Sequence, residues 1–291
     1  MSKPAVMLGM TLPDVDVWSE RVAVALGQNP SAFSGPGTNT YLLGTGTRKI
    51  LLDPGQGVES YLPVLEAAME RCQCEGFQEI VLTHAHPDHI GGVRQVLGRF
   101  GDMKVSKKPW PGIDERFDLK LSPIDDGAVI ETEGLTLRAI HTPGHAPDHL
   151  CFMIEEERAL MSGDNVLGVG TTVIPSESGD LLQYMASLNR LLEERPTCIY
   201  PAHGPKIEDG VGKLEEYIAH RHEREGEIVT ALTGGPRRPI DIVKVVYAAY
   251  PENLHPAAAQ SVSQHLMKLE GEGRATREGR EPTQALWRLI P

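Results

Sequence analysis

The run Thr83-His84-Ala85-His86-Pro87-Asp88-His89 places four groups able to bind a transition metal within six positions. On an extended chain His84 and His86 point the same way, because side chains repeat every two residues, so they can share one ion. Pro87 ends the extended run and suits the first position of a helix, which turns Asp88 and His89 toward a second position. A lone histidine is usually a packing or surface residue. Four ligating groups crowded where a strand passes into a helix do not read that way. Three further groups stand far downstream: His145 in HTPGHAPDH, Asp164 in SGDN and His203 in YPAHGP. Each follows an apolar run and sits beside Gly or Pro, where a loop can aim it at a common rim. Zinc favours imidazole nitrogen and carboxylate oxygen, and a catalytic zinc keeps one position open. Five histidines and two aspartates suffice for two ions with Asp164 between them. Two ions about 3.5–4 Å apart can hold a hydroxide nucleophile and bind a substrate oxygen.

The elements that must carry these groups are legible as periodicity. RVAVALG, TNTYLLG and KILLDPG, within residues 15–54, are short apolar runs split by Gly, Pro and Asn, the pattern of strands. Residues 58–71 have helical spacing. EIVLT (79–83) reads as a buried strand, with a helix following over HIGGVRQVLGRFG. LTLRAI (135–140), HLCFMI (149–154) and RALMSG (158–163) are strands, residues 179–195 an amphipathic helix, and CIYPAHG a strand ending in a turn. Strands alternating with helices predict an α/β (α+β) chain with helices outside a sheet core. The character changes near residue 213. A long polar helix (213–234), two more helices (IDIVKVVYAAY and PAAAQSVSQHLMKLEGEG) and a hairpin over RATREGREPTQALWRLI outline a winged helix. The expected domains are therefore 1–212 and 213–291.

The chain has 291 residues and a formal net charge of −12, with 17 basic and 29 acidic side chains in residues 1–212 and 11 of each in 213–291. An acidic body argues against binding nucleic acid through bulk charge, since phosphate neutralisation needs local positive potential. It leaves room for a small basic groove, or for metal ions that supply the charge instead. Four cysteines make no disulfide framework and fit a reducing compartment. Cys151 and Cys198 have the pattern of core strand residues, and the Cys72-x-Cys74 pair is too solitary for a metal site. The first residues contain neither a secretory h-region nor an Arg-rich presequence, and no apolar run reaches membrane-spanning length. These features lead to the expectation of an intracellular protein that is not secreted, in the cytoplasm or the mitochondrial matrix.

The succession HAHPDH, GH, GD and AHG resembles the metallo-β-lactamase superfamily in its hydrolase form, which implies an αββα sandwich with metals at one edge. SGDNVLGVGTTV, IYPAHGP, KLEEYIAHRHERE and PENLHPAAAQSVSQHLMKLEGEG further resemble the beta-lactamase-like protein 2 family, which carries a C-terminal winged helix. The resemblance implies a first zinc on His84, His86 and His145, a second on Asp88, His89 and His203, and Asp164 bridging the two Zn(2+) ions. Ala202 departs from the usual glycine and leaves His203 intact. Asp53, in LLDPG, reads either as a turn residue before Pro-Gly or, as the resemblance implies, as a carboxylate that orients a zinc-bound imidazole. His141 and His149 are assigned packing or supporting roles, and His220, His222, His255 and His265 surface or packing ones.

The implied function is a zinc-dependent endoribonuclease on single-stranded RNA, with Asp88 as a catalytic residue beside the metal-bridging hydroxide. The alternatives are a thioester hydrolase of the glyoxalase II or polyketide-thioesterase kind, a lactam-opening enzyme, and a metal-binding winged-helix interaction protein. Residues 237–291 hold eight basic against six acidic side chains. Lys268 and Arg274, at the end of the third tail helix and the start of the hairpin, are the expected contacts to an RNA backbone. The other reading of the tail is a packing or homodimerisation appendage.

Overall fold

The computed structural model describes residues 6–7, 10–249 and 251–290, so that Tyr250, the expected end of one tail helix, lies outside them. The chain forms two compact units that are not contiguous in sequence. The first takes residues up to Thr142, Asp148–Thr172 and Glu194–Lys213; the second takes Pro143–Pro147, Val173–Glu193 and the residues from Leu214 onward.

In the first unit a ribbon of β1 (Val6–Met7) and β2 (Met10–Thr11) precedes a seven-stranded sheet. Its strands run in sequence order: β3 (Val15–Ser19), β4 (Val22–Leu26), β5 (Asn39–Leu43), β6 (Arg48–Leu52), β7 (Gly76–Val81), β8 (Lys104–Lys107) and β9 (Ser122–Pro123). Pairing is antiparallel as far as β6 and parallel beyond it. A five-stranded sheet follows, of β10 (Val129–Thr132), β11 (Leu135–His141), β12 (Leu150–Ile154), β13 (Ala159–Gly163) and β14 (Ile199–Pro201). Only its β13–β14 pair is parallel.

The pleat divides the strand residues between two cores. Val22, Val24, Tyr41, Leu43, Ile50 and Leu52 meet Leu137, Leu150, Phe152 and Met161 between the sheets. Their neighbours Ala23, Ala25, Leu42 and Leu51 face outward, where α1 (Tyr61–Arg71), α2 (Pro87–Ile90) and α3 (Val93–Phe100) bury Tyr61, Leu65, Ile90, Val93 and Val96. Because both faces are covered, these strands read as continuous apolar runs rather than as alternation. Each large side chain so buried contributes about 1.5–3 kcal/mol.

Two expectations shift here. The strand foreseen over 79–83 is β7 and stops at Val81; Leu82 still donates to Ser106 O (2.9 Å), but Thr83 turns away to Asp53. The single helix foreseen after the motif is two helices, broken at Gly91-Gly92. A Cβ on Gly92 would strike the Pro54 carbonyl and one on Gly91 the Gln56 carbonyl, and Gly92 N donates to Gly55 O at 2.8 Å. The break lets the chain pack on the 54–56 loop.

The second unit holds α4 (Leu181–Glu193), α5 (Gly210–Thr233, which enters it at Leu214), α6 (Pro239–Val246), α7 (His255–Gly271) and a hairpin of β15 (Ala275–Glu278) and β16 (Leu286–Leu289). Its core joins Ile228 and Leu232 of α5, Ile242 and Val243 of α6, Val262, Leu266 and Leu269 of α7, and fully buried Trp287. Lys268 is not free to meet a phosphate, which corrects the sequence reading, and Arg274, though exposed, has one guanidinium nitrogen in ion pairs. Lys268 is buried, 2.7 Å from both Glu225 and Glu272, and Arg274 lies 2.8 Å from Glu225 and 3.0 Å from Glu272. Among the described residues no helix is long and apolar enough to cross a membrane.

Candidate metal centre

One edge of the first unit collects the carboxyl ends of its parallel strands. β6 runs into Asp53, β7 into His84, β13 into Asp164 and β14 into His203. The two sheets are stitched there. Leu150 N donates to Thr83 O (2.8 Å) and Asn39 N to Ala202 O (2.7 Å). The Asn39 amide also holds the carbonyls of Pro201 and Gly204 on either side of His203.

Asp53 holds the neighbouring imidazoles from behind. Its backbone takes φ of 53°, a left-handed conformation that a short polar residue tolerates better than most. The carboxylate accepts from Thr83 N (2.8 Å), Thr83 Oγ1 (2.7 Å) and His89 Nδ1 (2.8 Å). With its proton spent on Asp53, Thr83 Oγ1 accepts from His84 Nδ1 at 2.9 Å. Both histidines therefore carry hydrogen on Nδ1 and turn Nε2 inward. The contacts of Asp53 have the form of the orienting role its sequence context implies; Thr83, the relay, carries no signal of its own in the sequence.

His84 Nε2 comes within 2.9 Å of His86 Nδ1. Burial, followed by the neighbouring histidines, lowers the His84 pKa well below its ordinary value, so it is the neutral, lone-pair-bearing form that points inward. Pro87 opens α2 after an extended His86, as its fixed φ suits, and this carries Asp88 and His89 to a second cluster with His203. Asp88 Oδ2 lies 3.5 Å from His89 Nε2 and 3.3 Å from His203 Nε2. Asp164 Oδ1 is 3.4 Å and 3.1 Å from the same two atoms. Thr38 Oγ1 donates to Asp88 Oδ2 at 3.2 Å, a contact across fifty sequence positions that no motif announces. Behind them His149 Nε2 accepts from Asp164 N (3.1 Å), which places its own hydrogen on Nδ1 facing Thr142 Oγ1 (3.0 Å).

Six of the seven expected ligands thus belong to the first unit. The seventh, His145, stands on the loop Pro143–Pro147, which groups with the second unit. Its Nδ1 donates to Val173 O (2.8 Å), leaving Nε2 with the lone pair. His141 is half-buried at the end of β11, with its backbone N–H donated to Asp126 Oδ1.

The electrostatics suit a divalent cation. Burial opposes ionisation of Asp88, yet His89 and His203 hold it down at about 2. Asp164 is lowered likewise by the same two histidines against burial. Burial would lower His203, but Asp164 and Asp88 raise it to about 9, and His89 is raised in the same way by Asp88, Asp164 and Asp53. Two carboxylates held ionised, with imidazoles drawn toward the charged form, mark a pocket of surplus negative potential. His89 Nε2 is buried and has no hydrogen-bond partner among the described residues, as expected of an atom shaped to meet a cation.

Residues 34–203 match the model of the metallo-beta-lactamase superfamily, and residues 239–287 that of the beta-lactamase associated winged helix domain. The chain belongs to the metallo-β-lactamase superfamily. It is 40% identical to the Beta-lactamase-like protein 2 homolog of Drosophila melanogaster, over 90% of this chain and 92% of that one. It is 39% identical to an atrochrysone carboxyl ACP thioesterase of Aspergillus chevalieri, over 90% of this chain and 84% of the other. A beta-lactamase domain protein from Burkholderia ambifaria shares its fold, with a TM-score of 0.78 at 20% identity, covering 96% of this chain and 95% of that chain. The protein is therefore a metallo-β-lactamase-fold hydrolase with a cluster of His and Asp suited to metal, followed by a winged helix.

Proposed function

We propose that this protein is a binuclear zinc hydrolase that cleaves phosphodiester bonds in single-stranded RNA. His84, His86 and His145 would hold one ion, Asp88, His89 and His203 the other, and Asp164 both. When bound, such a pair supplies an activated water and a Lewis acid for the phosphoryl oxygen. The protein's own contribution is orientation and proton handling. Asp53 fixes the tautomers of His84 and His89, and Thr38 steadies the Asp88 carboxylate, which stands beside His89 and His203 where it would steer or accept the proton of an attacking water.

The observation that carries the RNA reading is a cationic face on the winged helix. Arg237, Arg238, Lys244, Arg277 and Arg288 line two adjoining hollows of about 630 and 300 Å³ that share Pro236 and Leu286; the lining acids are Asp241, 3.3 Å from Lys244, and Glu278, and Glu270 lies 3.6 Å from Arg277. Such a patch on a chain of net charge −12 is a local positive potential of the kind a phosphate backbone needs. A thioester reading is favoured by the relative named as an ACP thioesterase. Arg238, Lys244 and Arg288 changed together to Ala discriminate the two. RNA binding should weaken and its salt slope flatten by roughly two to three units, while hydrolysis of a small acyl thioester stays constant. Thioester turnover without any RNA cleavage by the native protein would replace the substrate and leave the metal chemistry standing.

A further inference from the structure

We infer that Lys107 is a positioning residue of the metal centre, acting through Asp148 and His149 on Asp164; the inference rests on the metal-binding reading above. Lys107 is the last residue of β8, and its ammonium is wholly buried, an unusual place for a lysine. It lies 2.8 Å from Asp148, itself buried, 2.7 Å from Asp114, and donates to Lys108 O at 2.7 Å. A buried ion pair is a poor way to gain stability, because desolvation consumes much of the attraction. Its value is in geometry.

The geometry runs directly to the centre. Asp148, His149 and Leu150 are consecutive, and each grips a different part of it. Asp148 meets Lys107, His149 Nε2 accepts from Asp164 N, and Leu150 N donates to Thr83 O, the residue that orients His84. Asp114, on the turn Asp114–Phe117, also accepts from Trp110 N (2.7 Å), so the same ammonium draws that loop to the entry of β12. Gly163 supplies an independent sign that the approach of His149 is built in. Its φ is +50°, and a Cβ there would come within 2.6 Å of His149 Nε2. Only glycine lets the imidazole reach beneath Asp164. Lys107 touches no ligating atom and acts by holding the segment that does.

Cobalt(II) loaded into the full-length protein tests this without recourse to activity. Lys107→Met alone leaves the buried Asp148 carboxylate without its cation, so the informative variant is Lys107→Met with Asp148→Asn. Its cobalt affinity, measured against a competing chelator, should fall about 10–100-fold, and its visible bands should shift, as losses behind metal ligands do. His149→Ala should do the same, and combining all three changes should cost little more than either set alone, because they act on one path. Should the double variant melt below the assay temperature, Asp148→Asn, which keeps the Lys107–Asp114 pair, is read in its place. Cobalt affinity within threefold of wild type with unmoved bands overturns the inference, as do fully additive losses. Failure of the wild-type protein to bind cobalt at all overturns the metal reading itself, and is told apart by that control.

Discussion

Asp53 and Asp88 hold different places in one cluster, the first behind the imidazoles and the second among them. Asp53 reaches His89 directly and His84 through Thr83. Asp53→Ala should therefore weaken metal binding about 10–100-fold, seen in chelator competition; unchanged affinity would show that packing alone orients the imidazoles. Asp88 stands between His89 and His203 with its second contact to Thr38. Asp88→Ala should lower turnover by roughly 10²–10⁴ while elemental analysis still finds about one ion per chain, retained by the other ligand set. Near wild-type turnover in that variant would remove Asp88 from the mechanism. If the analysis of native protein returns iron in place of zinc, the same nitrogen and oxygen donors serve it.

Helices α2 and α3 show how an element boundary can be set by a neighbour rather than by its own propensity. Gly91 and Gly92 lie where the 54–56 loop comes closest, and that loop begins one residue after Asp53. Gly92→Ala drives a Cβ into backbone and should destabilise the first unit by about 1–3 kcal/mol. Gly98, inside α3, meets nothing within 4 Å, so Gly98→Ala should stabilise by about 0.5–1 kcal/mol. Thermal melts of the two variants compare a glycine required by packing with one that is not. Equal shifts would mean that the loop yields to the methyl group.

Two compact units, each with its own core, should respond to different perturbations. A chelator removes whatever stabilisation the bound ions give to the native state, about 4 kcal/mol when metal stands at a thousand times its dissociation constant. Calorimetry with and without chelator should show the transition of the first unit, which carries six of the seven proposed ligands, fall further than that of the winged helix. The winged helix should instead follow pH. Burial would raise Glu225, but His265, Lys268 and Arg274 hold it at about 2, against an ordinary value of 4.5. An unfolded chain then takes up a proton that the folded one refuses. Stability from this group is present above pH 4.5 and is lost as pH falls from there toward 2. Glu225→Gln should cost about 1.5–3 kcal/mol near neutrality and flatten that acid slope; a slope unchanged in the variant would assign it to other carboxylates.

His84, His86, Asp88, His89, His145, Asp164 and His203 stand out as candidates from one dimension, because metal ligation demands particular donors and strand-to-helix junctions have short-range signatures in Pro, Gly and alternation. The strands, the long helices and the winged-helix tail were legible for the same reason: their periodicities are local. What was not legible depends on contacts between distant positions. Thr38 meets Asp88 across fifty residues, and Thr83 is an ordinary threonine until Asp53 arrives beside it. Lys268 and Arg274 have the composition of a nucleic-acid surface, yet Glu225 on another helix has drawn Lys268 into a buried ion pair and holds one nitrogen of Arg274. The second unit takes Pro143–Pro147 and Val173–Glu193 from the middle of the chain, a partition that no linker or composition shift marks. Donor chemistry and periodicity are properties of short segments, so the sequence determines them by itself; charge pairing, tautomer and domain membership are properties of pairs of segments, and only the folded chain decides which pairs meet.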